Sequence, residues 1–311
     1  MHKKANKQKA YYLSDRLKGQ LAQMAYYPLT LVEAPSGFGK TTAVREYLKE
    51  NLPPDARAKW YTCLGEPVQA AWRGICGLFS MVSDEIATNL IRLETPAKET
   101  LEYITGICKD LRCETETFLI IDNYHLVDCN IPHELMCGLA MQESPNLHIL
   151  CVTQQLGPKR HFIVHNANIH TIDSSAFLFD AEGIGHLFRM EGIRLTEEER
   201  ESIVKSTEGW ISAIRFQMIH YKETGSFDSA ADNDRLVELA VWDRLSDEEK
   251  EFLLSVSVLD CFDARQAAIM MGMEVLPPHI EDYLKFNDFI RYSPDKRVYA
   301  IHGVLREYLR N

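Results

Sequence analysis

The chain has 311 residues, of which 46% are hydrophobic and 25% are charged. These values match average globular proteins and leave room for two or three domains with buried cores. Acidic residues outnumber basic ones by 45 to 34, giving a formal net charge of −11, which argues against a nucleic-acid-binding surface because phosphate contacts need clustered lysine and arginine.

The eight cysteines are scattered along the chain and form no C-x-x-C pair. Several fall inside apolar runs, as Cys151 does between Leu150 and Val152. This usage favours reduced, buried thiols over a disulfide framework or a zinc site. The sequence shows no signal peptide and no apolar run of about 18 residues. We therefore expect a soluble, cytoplasmic protein of several domains that does not enter a membrane.

Residues 1–10 carry four lysines and no apolar stretch follows them, so we predict a flexible basic tail. Residues 11–157 then alternate apolar runs with helical stretches. Leu29–Val32 predicts a buried strand before a glycine-rich turn and a helix, and Lys59–Thr62 predicts a second strand. Phe118–Ile121 and Leu147–Val152 are further β-type runs. Strands that are apolar on both faces, with helices between them, predict an α/β domain built on a parallel sheet.

Residues 158–230 predict a small helical domain, a lid beside the sheet. Asp180 can begin one helix, and Thr196 with Glu199 forms a capping box for the next. That second helix is predicted to end at Glu208 and Gly209. A further amphipathic helix follows, and Gly225 lies in a polar linker.

Residues 232–311 predict a winged-helix domain of three helices and a two-stranded wing before a last helix. Ser246 with Glu249 caps the first helix, and Asp263 with Gln266 caps the second. A third helix can begin at Pro277-Pro278. The runs Phe289–Tyr292 and Val298–Ile301, separated by a Ser-Pro-Asp-Lys turn, predict the hairpin.

The strongest motif for chemistry is the stretch Ala34-Pro-Ser-Gly-Phe-Gly-Lys-Thr-Thr42, a P-loop. A triphosphate needs converging N–H donors, a positive charge and a hydroxyl group for a metal ion, and glycines let the backbone amides turn inward. Lys40 would reach the β- and γ-phosphates, Thr41 would ligate Mg²⁺, and Thr42 would meet the α-phosphate. The predicted nucleotide-binding residues of this loop are Ser36, Gly37, Phe38, Gly39, Lys40, Thr41 and Thr42.

Asp122 ends the apolar run Leu119–Ile121 in a Walker B pattern, where a carboxylate can hold the water shell of the metal ion. An ordinary strand end is the alternative. Asn123 stands where many hydrolytic ATPases carry a second acid that orients the attacking water. Because an amide can orient water but cannot accept its proton, we expect slow hydrolysis or none. Asp122 and Asn123 are therefore weak catalytic candidates, with Asn123 as a water-positioning group.

Gln154 follows the next predicted strand, in the position of a sensor for the γ-phosphate. A polar side chain at a strand end is an equal alternative. Together with the loop and Asp122, it predicts bound ATP or ADP with Mg²⁺.

Taken together, these segments resemble the large ATP-binding LuxR-type regulators typified by the maltose-regulon activator, a branch of the STAND signalling ATPases. The resemblance covers nearly the whole chain, from Ser14-Asp-Arg-Leu17 to the final helix. Its diagnostic pieces are the P-loop, Ile121-Asp-Asn-Tyr-His125, Glu208-Gly-Trp210 and Tyr299-Ala-Ile-His-Gly-Val-Leu-Arg306. The P-loop alone is generic, whereas the Asp-x-Tyr-His and Glu-Gly-Trp pieces are much more specific.

The resemblance implies a switch in which a P-loop domain, a lid and a winged helix close over ADP at rest. An inducer, which the sequence does not name, together with ATP then opens the protein into a self-associating form. His302 matches a winged-helix histidine that contacts the β-phosphate of ADP in STAND proteins, and Trp210 is expected near the base or ribose, or in the core. Asn123 and Gln154 depart from the Asp-Asp pair and the arginine common in the family.

The resemblance also implies a superhelical inducer-binding region and a DNA-binding helix-turn-helix beyond residue 311. The leading hypothesis is thus a nucleotide-dependent switch module from the N-terminal part of a signal-transducing transcription regulator. An AAA-like ATPase motor or loader with active turnover is the alternative. Direct DNA binding by the winged helix is disfavoured, because its second helix carries only Arg265 as a basic residue.

Overall fold

The computed structural model describes residues 11–34, 37–127, 131–132, 134–154, 166, 168–207, 209–227, 237–238, 242–286, 290–293, 296–301 and 303–310. The predicted basic tail at residues 1–10 lies outside these residues. Three units are present: a five-stranded sheet with flanking helices, a helical region, and a C-terminal set of helices with a β-hairpin.

The central sheet is parallel at every pairing. Its strands are β1 (Leu29–Glu33), β2 (Arg57–Thr62), β3 (Thr117–Asp122), β4 (Leu147–Thr153) and β5 (Ile169–Ile172). They lie in the order β2-β3-β4-β1-β5. The carboxyl ends of parallel strands meet at one edge, where open α/β sheets bind ligands. The segments that follow β1, β4 and β3 therefore lie next to one another at that edge.

Helices cover both faces of the sheet. They are α1 (Asp15–Ala22), α2 (Lys40–Asn51), α3 (Val68–Leu78), α4 (Asp84–Arg92), α5 (Leu101–Lys109) and α6 (Glu134–Leu139). Leu119 and Ile121 of β3 pack into a core with α3 to α6. Phe118 and Ile120 of the same strand pack into a second core with α1 and α2. Burial on both faces explains why β3 is apolar at consecutive positions.

The sheet extends further along the chain than the sequence predicted. β5 pairs with β1, and Ile172 packs in the same core as α1 and α2. The predicted boundary of the P-loop domain at residue 157 is therefore wrong, since the domain continues at least to residue 172. A four-residue strand with His170 and Thr171 at its centre has no apolar run, so its place in the sheet depends on its pairing with β1.

The helical region consists of α7 (Ala181–Met190), α8 (Glu197–Thr207) and α9 (Ile211–Thr224). Asp180 caps α7 by accepting a 2.8 Å hydrogen bond from the Gly183 amide. The predicted capping box of α8 is present: Thr196 Oγ1 accepts from the Glu199 amide, and the Glu199 carboxylate accepts from the Thr196 amide. The three helices share a core of their own.

The C-terminal unit has the predicted winged-helix topology. Its elements are α10 (Asp247–Ser257), α11 (Ala264–Met270), α12 (Pro278–Phe286), β6 (Ile290–Ser293), β7 (Val298–Ile301) and α13 (Gly303–Arg310). Both predicted capping boxes are present, at Ser246 and at Asp263. β6 and β7 pair antiparallel as the wing. Short 3-10 turns lie at Gln23–Tyr26, Phe79–Met81, Tyr124–Leu126, Ser174–Phe177 and Trp242–Arg244.

Candidate functional site

The turn between β1 and α2 has the backbone that an anion-binding loop needs. Gly37 and Gly39 both adopt φ of 78°, in the left-handed region that favours glycine. Gly39 is also the N-cap of α2 and has no side chain that could occupy the first amides of the helix. The positive end of the α2 dipole therefore faces the turn. Ser36 lies outside the described residues.

Lys40 and Thr41 begin α2 beside this turn. The Lys40 ammonium donates a 2.7 Å hydrogen bond to the carbonyl of Ala34, which lies at the other end of the loop. The Thr41 hydroxyl donates a 2.9 Å hydrogen bond to Asp122 Oδ1 at the end of β3. The loop and the predicted Walker B aspartate are thus in direct contact, although β4 lies between their strands.

Asp122 is buried, with 3% of its surface exposed. Burial raises the pKa of its carboxyl group, while hydrogen bonds from Thr41 and the Asn123 amide and the positive charges of Arg45 and Lys40 oppose the rise. A carboxylate in this position gains from a nearby cation, which replaces part of the lost hydration. Asn123 has φ of 56°, and its side-chain amide donates to the Cys63 carbonyl across 3.4 Å.

His125 lies one turn beyond Asp122 and contacts the end of β4. Its Nδ1 accepts a 3.3 Å hydrogen bond from the Gln154 backbone amide, so the neutral ring carries its proton on Nε2. Burial, together with the positive charges of Lys40 and Arg306, lowers the pKa of His125 to about 4. The imidazole is therefore neutral near pH 7.

A cavity of about 560 Å³ lies between this edge of the sheet and the winged helix. The sheet side contributes Lys40, Thr41, Asp122, Asn123, His125 and Gln154. The winged-helix side contributes Asp260, Lys296 and Arg306, and Arg45 of α2 also lines the cavity. Four lining residues carry a positive charge (Lys40, Arg45, Lys296 and Arg306) and two a negative one (Asp122 and Asp260), an excess that suits a polyanionic ligand.

A second cavity, of about 350 Å³, lies on the other side of the glycine turn. It shares Gly37 and Gly39 with the first cavity and includes Phe38 and Thr42. Its walls are mostly apolar and aromatic, from the N-terminal segment (Tyr11, Tyr12, Leu13), from Phe177 and Phe179, and from α9 (Ile211, Met218, Ile219). Arg215 of α9 supplies positive charge at its edge, while Lys222 of α9 is ion-paired with Glu191, which also lines this cavity.

The helical region contacts the loop directly. The Ser212 hydroxyl at the start of α9 donates a 2.7 Å hydrogen bond to the Gly37 carbonyl. Trp210 stacks on Phe38 with ring centroids 6.0 Å apart and also packs against the core of the winged helix. Trp210 therefore joins the loop, the helical region and the winged helix, whereas its expected place near a base or ribose stays a prediction.

The winged helix also contacts the segment after β2. Lys296 of the wing forms a 3.2 Å ion pair with Glu66 and lies 4.3 Å from the centre of the Tyr61 ring. The Tyr61 hydroxyl donates to the same Glu66 carboxylate. Cys261 Sγ donates to the Leu64 carbonyl. These contacts close one side of the larger cavity.

The structure thus brings most of the predicted site residues together around two cavities that share Gly37 and Gly39. Lys40, Thr41, Asp122, Asn123 and Gln154 line the larger one, whereas Phe38 and Thr42 line the smaller one. His302 lies outside the described residues, so its contact with a phosphate stays a prediction. Sequence reasoning assigned no role to Asp260, Lys296 or Arg306, nor to the N-terminal tyrosines. The sequence offered one indication for Arg306, its place at the end of the Tyr299–Arg306 segment that resembles the family.

Known proteins resemble this chain along most of its length. Residues 238–311 match the family described as the MalT winged helix domain. The sequence is 24% identical to the HTH-type transcriptional regulator MalT of Vibrio campbellii and 26% identical to MalT of Vibrio cholerae, over 94% of this chain in both cases. The chain is thus similar to the MalT regulators over most of its length. The resemblance predicted from the sequence is confirmed. The chain spans 34% of the length of these two relatives.

A solved structure shows the same fold as this MalT-like chain. It is the Signal Transduction ATPase with Numerous Domains (STAND) protein with a tetratricopeptide repeat sensor from Pyrococcus horikoshii. The likeness covers 97% of this chain and 43% of that one, with a TM-score of 0.64 and 17% identity. The predicted α/β P-loop ATPase fold with a winged helix is therefore confirmed.

Within the described part of the chain, no helix is long and apolar enough to cross a membrane.

Proposed function

We propose that this chain is the nucleotide-binding switch module of a longer transcription regulator. ATP or ADP would lie between the P-loop domain and the winged helix, with Mg²⁺ beside the phosphates. The hydrogen bond between Thr41 and Asp122 carries the proposal, because it places the two predicted metal-binding oxygens 2.9 Å apart on the wall of a positively charged cavity.

The residues present fit a magnesium nucleotide. Magnesium is held in proteins by one or two side-chain oxygens together with phosphate oxygens and waters. The Thr41 hydroxyl would be a direct ligand, and the buried Asp122 carboxylate would hold a metal-bound water. Among the described residues no group of three or more His, Cys, Asp or Glu side chains could hold a metal on its own, so the phosphates would have to supply the other ligands.

The smaller cavity is the proposed site for the base and ribose. It lies on the Thr42 side of the glycine turn, where the α-phosphate would lead to the nucleoside. Its aromatic and aliphatic walls suit a flat purine ring. Because the N-terminal segment, the loop and α9 all line it, bound nucleoside would hold these three elements together.

Two features support a switch over a motor. Asn123 cannot accept a proton from water, and its amide is already engaged with the Cys63 carbonyl. Gln154 supplies no charge to stabilise a transferring phosphate. We therefore infer slow hydrolysis or none, so that the nucleotide would act mainly as a contact between domains.

The relatives support the proposed context. They are named HTH-type transcriptional regulators, and this chain corresponds to about a third of their length. We infer that DNA binding, inducer binding and self-association of the full regulator depend on segments outside this chain.

Nucleotide content provides the first test. The purified chain is denatured in acid, and the supernatant is analysed for ADP and ATP; stripped protein is then titrated with both nucleotides by calorimetry, with and without Mg²⁺. We expect retained ADP or ATP, and loss of retention in Lys40→Ala. Lys49→Ala is the matched control, because Lys49 is exposed on the same helix and pairs with Glu46.

Two outcomes would contradict the proposal. A chain that neither retains nor binds nucleotide would refute the binding site itself. Steady hydrolysis faster than about one turnover per second, which is typical of working enzymes, would favour the AAA-like motor over the switch.

A further inference from the structure

One ion pair lies inside the larger cavity and belongs wholly to the winged helix. Arg306 Nη1 of α13 contacts Asp260 Oδ1 across 3.0 Å. Both side chains line the cavity whose opposite wall carries Lys40, Thr41 and Asp122. The Arg306 side chain is 19% exposed and that of Asp260 is 49% exposed. This pair therefore presents one cation and one anion to the cavity that would hold the phosphates, while the other winged-helix cation, Lys296, is paired with Glu66.

The position of His125 indicates which phosphate this pair would meet. His125 bonds to the end of β4 through the Gln154 amide, and its pKa responds to both Lys40 and Arg306. Lys40, His125 and Arg306 all line the larger cavity together with Asp122. The smaller cavity lies at the other end of the loop. A phosphate chain that begins there and passes Lys40 would extend into the larger cavity, whose winged-helix wall carries Arg306.

Arg306 could contact either Asp260 or a terminal phosphate, and these two contacts differ in strength. A half-exposed ion pair contributes little net stability, because solvent screens both charges. A terminal phosphate carries more charge than a carboxylate and accepts paired hydrogen bonds from one guanidinium group. Arg306 would therefore gain by exchanging Asp260 for that phosphate, whereas the Asp260 carboxylate would repel it.

We propose that Arg306 binds the terminal phosphate of ATP and that Asp260 opposes this contact, so that the pair determines the preference of the closed form for ADP or ATP. The inference rests on the proposed nucleotide site. A diphosphate ends before the pair and leaves it intact, while a triphosphate has to displace the carboxylate. The winged helix thereby distinguishes the two nucleotides through one arginine.

Arg310 offers a matched control on the same helix. It also contacts Asp260, at 3.5 Å, and its Nε donates to the Ser257 carbonyl across 2.7 Å. Yet it is not among the residues that line the cavity. Replacing Arg310 removes a charge and an Asp260 contact from α13 without changing the wall that faces the phosphates.

The test compares the Kd values of ADP and a non-hydrolysable ATP analogue by calorimetry, with Mg²⁺, in the stripped 311-residue chain. Losing a charge-assisted contact in Arg306→Gln is expected to weaken the analogue about tenfold to a hundredfold, and ADP less than about threefold. Arg306→Lys should recover part of the loss. Asp260→Asn should tighten the analogue relative to ADP, and Arg310→Gln should leave the ratio of the two Kd values unchanged.

The outcomes separate the two proposals. If the wild-type chain binds neither nucleotide, the proposed function fails. If it binds both and Arg306→Gln changes the two Kd values equally, or not at all, the nucleotide site stands and the role of Arg306 is refuted. Equal effects of Arg306→Gln and Arg310→Gln on the ratio would also refute it, since only a general effect of charge or folding would then remain. Melting curves of each variant verify that it is folded.

Discussion

Thr41 and Asp122 are 81 positions apart in the chain, and the hydroxyl of the first donates a 2.9 Å hydrogen bond to the carboxylate of the second. The bond joins the first turn of α2 to the end of β3 and lies on the wall of the larger cavity. Since β4 separates β1 from β3 in the sheet, α2 has to extend over the end of β4 for this contact to form. The predicted metal site thus depends on the strand order.

The affinity for ATP should no longer depend on Mg²⁺ when the Thr41 hydroxyl is removed. In Thr41→Ala we expect ATP to bind about tenfold more weakly with Mg²⁺ and about equally well with a chelator present, because the hydroxyl serves the metal more than the phosphates. Calorimetry under both conditions measures the difference. Thr41→Ser keeps the hydroxyl and is the control. An equal loss under both conditions would show that Thr41 acts on the phosphates or on folding.

Hydrolysis should rise when Asn123 becomes an acid. Asn123→Asp introduces a carboxylate that can accept a proton from water, and general-base groups contribute about a hundredfold or more to rate. The left-handed backbone at Asn123 also tolerates aspartate. We expect phosphate release at least tenfold faster than in the wild-type chain. Asn123→Ala controls for loss of the contact with the Cys63 carbonyl. Unchanged turnover in the aspartate variant would mean that another group limits hydrolysis.

Stability should fall on mild acidification, partly because of His125. Its pKa in the folded chain is about 4 in place of 6.5. Between these values the unfolded chain binds a proton that the folded chain excludes, so the free energy of unfolding decreases as the pH drops through this range. In His125→Gln the decrease in Tm between pH 7 and pH 5 should be smaller by roughly 2–4 °C. Burial also lowers the pKa values of His148 and His170, so part of the dependence should remain. An identical slope in the variant would contradict the burial of a neutral imidazole at this position.

Gly209 should not tolerate a side chain. Its φ is 76°, and a Cβ atom there would lie 2.4 Å from the Phe179 carbonyl oxygen. The Phe179 amide also donates a hydrogen bond to the Gly209 carbonyl, which holds the two segments together. Gly209→Ala should lower the free energy of unfolding by about 2 kcal/mol or more, through the clash and the backbone strain. Urea denaturation measures the loss. Gly19→Ala is the control, because Gly19 lies in α1 with nothing within 4 Å, and alanine there should be neutral or stabilising. Equal stability of the two variants would show that the segment at Phe179 can move aside.

Local signals made much of the fold predictable. The capping boxes at Thr196, Ser246 and Asp263 are satisfied within three residues of sequence, so each helix start depends on its own neighbours. β3 and β4 were visible because burial on both faces requires a continuous apolar run. β5 was missed, since half of its residues are only partly buried and its strand character comes from β1. The domain boundary at residue 157 was wrong for the same reason.

The predicted site residues divide in a similar way. Lys40, Thr41 and Asp122 belong to short motifs whose residue types are set by the chemistry of phosphate and metal binding. Arg306 and Asp260 have no such motif between them, as they are 46 positions apart and meet the loop only through domain packing. The tautomer of His125 likewise depends on the backbone amide of Gln154, which no residue type encodes.

The amino-acid sequence by itself therefore determined the P-loop, the capped helices, the winged-helix topology and the resemblance to the MalT regulators, because each depends on contacts between near neighbours or on a short motif. The tertiary structure alone decided the fifth strand, the two neighbouring cavities and the Arg306–Asp260 pair that lines the same cavity as Lys40. These features are formed by segments that lie far apart in the chain. Their positions depend on the packing of whole domains, which results from many weak contacts that cannot be recognised in a local sequence pattern.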